Sequence, residues 1–95
     1  NQPLNNWNVS NVEIMNKMFM NAKSFDQPIN NWNVSNVKEM AGMFEQAESF
    51  NQSLNNWDVS NVQYMKGMFN QTHSFNIQEN APWYPSYTMV HFHGM

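Results

Sequence analysis

The chain has 95 residues, room for one small domain. Charged residues make up 12% and the net charge is −3, with no Lys/Arg cluster, which argues against a nucleic-acid or anionic-lipid footprint. Cysteine is absent, excluding a disulfide framework and a thiolate zinc site, and no apolar run approaches the ~20 residues of a membrane-spanning helix. No basic, apolar leader of the signal-peptide kind is visible. The chain opens without Met and inside a repeating pattern, as an excised or processed piece of something longer would.

That pattern is the main signal. Residues 1–25, 26–50 and 51–75 share one frame, with Trp7, Trp32 and Trp57 spaced 25 apart. NNWNVSNV at 5–12 recurs at 30–37, and as NNWDVSNV at 55–62. A fixed period of this size signals a stacked array. A unit so short buries too little apolar surface to offset its own ordering, so neighbours must complete its core.

Taken in chain order, Trp7 and Val9 alternate with Asn6, Asn8 and Ser10, the period of a short strand. Ser10 then has the position of a helix N-cap. Ser10 with Glu13, and Ser60 with Gln63, have capping-box spacing, which Lys38 removes from the second unit. Val12, Met15, Met18, Phe19 and Ala22 follow at helical spacing, and the stripe recurs as Val37, Met40, Met43, Phe44 and Ala47, then as Val62, Met65, Met68, Phe69 and Thr72. A loop such as SFDQPI, stiffened by Pro28, leads to the next unit. The expected fold is α/β: a leucine-rich-repeat-like right-handed solenoid with one short parallel strand and one short helix per 25-residue repeat. Strands stack at ~4.8 Å and helices at ~8–10 Å, so the array should curve with strands inside. The asparagines Asn5, Asn30 and Asn55, and Asn11, Asn36 and Asn61, are candidates for side-chain ladders, their amides hydrogen-bonding up and down the stack or holding loop backbone groups without a sheet partner.

The frame (S)F-N/D-Q-P-L-N-N-W-D/N-V-S-N-V-x-x-M-x-x-M-F-x-x-A resembles the BspA-like surface-protein repeats, leucine-rich-repeat relatives found in mycoplasma-type and listerial surface lipoproteins. The likeness covers residues 1–75. It implies an extracellular or cell-surface interaction module without catalysis or cofactor, and it carries over no site residues. The lipobox cysteine and wall anchor of such proteins are not seen in this chain.

Residues 76–95, NIQENAPWYPSYTMVHFHGM, depart from the frame at Glu79 and Ala81–Pro82 and turn aromatic with Trp83, Tyr84, Tyr87 and Phe92. The expectation is an atypical C-terminal cap, with a docking segment as the alternative. His91 and His93 would share one side of a strand, but zinc needs three or four ligands and the remaining histidine is His73, so no metal site is expected. The serines serve as caps and no pair of carboxylates is singled out by spacing, so no catalytic residues are expected either. The methionine stripe reads as core, with Met20 off it. N-x-S/T sequons occur at Asn8, Asn33, Asn51 and Asn70 and matter only on a eukaryotic secretory route.

The positions expected on the concave face hardly vary: Asn6, Asn8, Ser10; Asn31, Asn33, Ser35; Asn56, Asp58, Ser60. The outer positions vary more. The candidate binding residues are therefore Asn6, Asn8, Asn31, Asn33, Asn56 and Asp58, with Trp83, Tyr84 and Phe92 from the tail. The expected partner is a protein or glycan ligand in an adhesion-type role. The alternative is structural, with contacts to other subunits of a larger assembly. Neither nucleic acid nor membrane insertion is expected.

Overall fold

The computed structural model describes residues 4–84. Each unit is a run of tight turns closed by backbone bonds from residue i+3 to residue i. In the second unit Trp32 N–H donates to Ile29 C=O, Val37 to Val34, Met43 to Met40, Glu45 to Gly42, Ala47 to Phe44 and Phe50 to Ala47, at 3.0–3.3 Å. The same bonds recur 25 residues on, from Trp57 to Leu54 through Phe75 to Thr72.

Neighbouring units sit in parallel register. Ile14 bridges Glu39, and Glu39 bridges Tyr64. From there the N–H groups of Met15, Lys17, Phe19 and Asn21 donate to Glu39, Ala41, Met43 and Glu45 C=O at 2.8–2.9 Å. Met40, Gly42, Phe44 and Gln46 repeat this toward Tyr64, Lys66, Met68 and Asn70.

Two sequence expectations meet a different backbone. The stripes at 12–22, 37–47 and 62–72 form turn ribbons, not helices; among the described residues the helix is α1, Ile77–Asn80. The reason lies in where the N–H groups point. A helix spends its N–H groups on its own carbonyls, leaving none for the next unit. The ribbon alternates, one N–H turned inward and the next given to the neighbour. Alternation needs left-handed residues at the third place of two turns per unit. Lys17, Gly42 and Gly67 (φ 60°, 63° and 68°) take the first place, and Asn21, Gln46 and Gln71 (59–63°) the second. Nor is there a strand at Trp7–Val9, Trp32–Val34 or Trp57–Val59 among the described residues. Their alternation still sorts side chains, since Val9, Trp32, Val34 and Trp57 are buried.

The core is a column of like residues. Phe44 stacks on Phe19 at 5.5 Å and on Phe69 at 5.6 Å, while Phe50 stacks on Phe25 and Phe75 at 5.4 Å. Met40, Met43, Met68, Ile29 and Leu54 are fully enclosed. Thr72 replaces alanine in the third unit and satisfies its hydroxyl by donating to Phe44 C=O at 2.6 Å.

Residues 76–84 continue the stack instead of leaving the frame at Glu79. Trp83 follows Trp57 by 26 residues, and α1 lies within this slightly longer unit. Asn76 caps α1, its side chain accepting from Glu79 N–H at 3.1 Å. Trp83 stacks on Trp57 at 6.3 Å and 14°, and Tyr84 meets Phe69 edge-on at 4.9 Å.

Candidate functional site

Where a backbone ladder is missing around NNWNVSNV, side chains replace it. Trp32 Nε1–H donates to Leu4 C=O at 2.8 Å, Trp57 to Ile29 at 2.9 Å and Trp83 to Leu54 at 2.9 Å. Asn36 and Asn61 amides donate to Ser10 and Ser35 C=O at 2.7 Å. The expected ladders of Asn11, Asn36 and Asn61 are thus amide-to-backbone links between units. The Asn30 side chain accepts from Asn56 N–H at 2.9 Å, and Asn55 donates to Glu79 C=O at 3.0 Å.

Ser10, Ser35 and Ser60 do not act as helix caps. Each donates both its N–H (3.0–3.1 Å) and its hydroxyl (2.6–2.7 Å) to the side-chain oxygen two residues earlier, on Asn8, Asn33 or Asp58. These are Asx turns. The Ser60 hydroxyl, then its N–H, pull the exposed Asp58 carboxyl below its ordinary range, against a small opposing effect of burial. Glu13, expected in a capping box, approaches Lys38 instead, at 3.8 Å between exposed side chains.

The six strip residues Asn6, Asn8, Asn31, Asn33, Asn56 and Asp58 are all exposed. They divide by what their polar atoms already do. The Asn31 amide is committed to Asn5 C=O at 2.9 Å. Asn8 and Asn33 use only their oxygen, leaving the NH2 groups unspent, and Asp58 keeps a second carboxylate oxygen. The tail candidates behave differently. Trp83 and Tyr84 are half-buried in the stack and not an open patch, and burial pushes the Tyr84 hydroxyl above its ordinary range. Phe92, with His91 and His93, lies outside the described residues. Among the described residues no three His, Asp or Glu side chains gather as a metal site would require.

Trp7, outside the candidate set, is 52% exposed, with Trp32 stacked on one side of it at 6.3 Å.

Parallel units tied by backbone and amide links, with an amide-lined exterior, define a tandem-repeat protein. The chain belongs to the family described as Mycoplasma protein of unknown function, DUF285, whose model matches residues 1–91. No curated protein and no solved structure matches it.

Proposed function

We propose that this chain is a noncatalytic interaction module of the BspA-like, cell-surface kind, its units forming a solenoid that presents one polar strip to a protein or glycan. The observation that carries this reading is that equivalent exposed residues in three units hold unspent polar atoms in fixed turns. Rigid, exposed polar groups lose little freedom on binding a partner. An array of immobilised glycans and surface proteins, probed with the folded chain and with the Asn6→Ala, Asn8→Asp, Asn33→Asp, Asn56→Ala variant, tests it. Binding that the quadruple variant loses supports the reading; binding unaffected by it, or none at all, removes it.

A second reading, a structural segment of a larger assembly, has its own observation. Trp7 and Met18 are 52% and 38% exposed, while their counterparts are buried. Concentration-dependent association abolished by Trp7→Ser, measured by sedimentation, would favour this reading over the first.

A further inference from the structure

We draw no further inference here: the strongest candidate, the exposed surface strip along which Asn8 and Asn33 keep unspent amide NH2 groups and Asp58 a second carboxylate oxygen, belongs to the site already described, and nothing in the structure shows what covers it.

Discussion

The first and second units carry nearly the same residues in different surroundings. Trp7 is 52% exposed and Trp32 3%; Met18 is 38% exposed and Met43 fully buried. Trp32 donates its indole N–H to Leu4 C=O, while Trp7 has no such partner among the described residues. The difference teaches that a residue's energetic weight here follows from its place in the stack. Side chains with a neighbour on each side are core; the same side chains at the first unit are half surface.

The largest expected effect breaks the stack at its middle. Phe44 is fully buried between Phe19 and Phe69 and also stacks on Phe50 at 4.4 Å. Phe44→Ala should cost about 3–5 kcal/mol by loss of burial and cavity formation. Phe19→Ala, at a half-buried position, should cost about half that by the same rule. Urea unfolding of both variants compares them directly, and equal losses would show that place in the stack does not matter.

The indole bonds give a smaller contrast. Trp57→Phe removes a buried hydrogen bond to Ile29 C=O, a carbonyl that still accepts Trp32 N–H. A loss of about 1–2 kcal/mol is expected for the bond and the missing ring atoms. Trp7→Phe should stay within about 0.5 kcal/mol. Thermal unfolding midpoints decide, and a Trp7 effect as large as that of Trp57 would mean that its exposure does not set its weight.

Much of the stack was legible in the sequence. The 25-residue register, the buried Met and Phe columns, and the linking role of Asn36 and Asn61 all followed from period and polarity. The backbone did not. Val37, Met40, Met43, Phe44 and Ala47 have helical spacing, yet turns closed from residue i+3 to residue i place their ends three residues apart, so the stripe fits both. Gly42 and Gly67 tell the two apart, since each costs ~1 kcal/mol inside a helix but suits the left-handed place of a turn. Trp83 was hidden by the one-residue offset in its unit. The strip residues were identifiable by their uniformity, but which of their atoms remain unspent depends on the serine hydroxyls, whose direction no spacing reveals.

The glycines sharpen the comparison at the backbone. Lys17 holds φ 60° where the next units have Gly42 and Gly67. Left-handed backbone costs a side-chain-bearing residue roughly 1–2 kcal/mol, partly offset by the unfolded-state freedom that glycine adds. Lys17→Gly should therefore stabilise by about 0.5 kcal/mol. Gly67→Ala, whose added carbon meets open space, should cost about 1 kcal/mol. Gly42→Ala should cost slightly more, because its carbon would lie 3.2 Å from Glu45 Oε1. Chemical unfolding ranks the three, and a stabilising Gly67→Ala would contradict the left-handed turn.

The smallest effect separates the two ends of the described stack. Tyr84 lies over Phe69 and its burial raises the hydroxyl's pKa above the ordinary ~10. The folded chain then holds this proton more tightly than the unfolded chain does. The stabilisation is complete below pH ~10 and is lost as pH rises from there through the folded value. Half-burial leaves the hydroxyl partly screened by solvent, so the effect is modest. Lysines titrate in the same range, so the measurement is the difference between the parent and Tyr84→Phe, unfolded at pH 9 and at pH 11. The parent should lose more stability between the two, with protection of the Trp83 indole N–H, relative to its intrinsic base-catalysed exchange, falling more than that of Trp32. A drop shared equally by both proteins would mean that the packing of Tyr84 on Phe69 carries no pH-dependent stability, and its contrast with the half-exposed Trp7 would disappear.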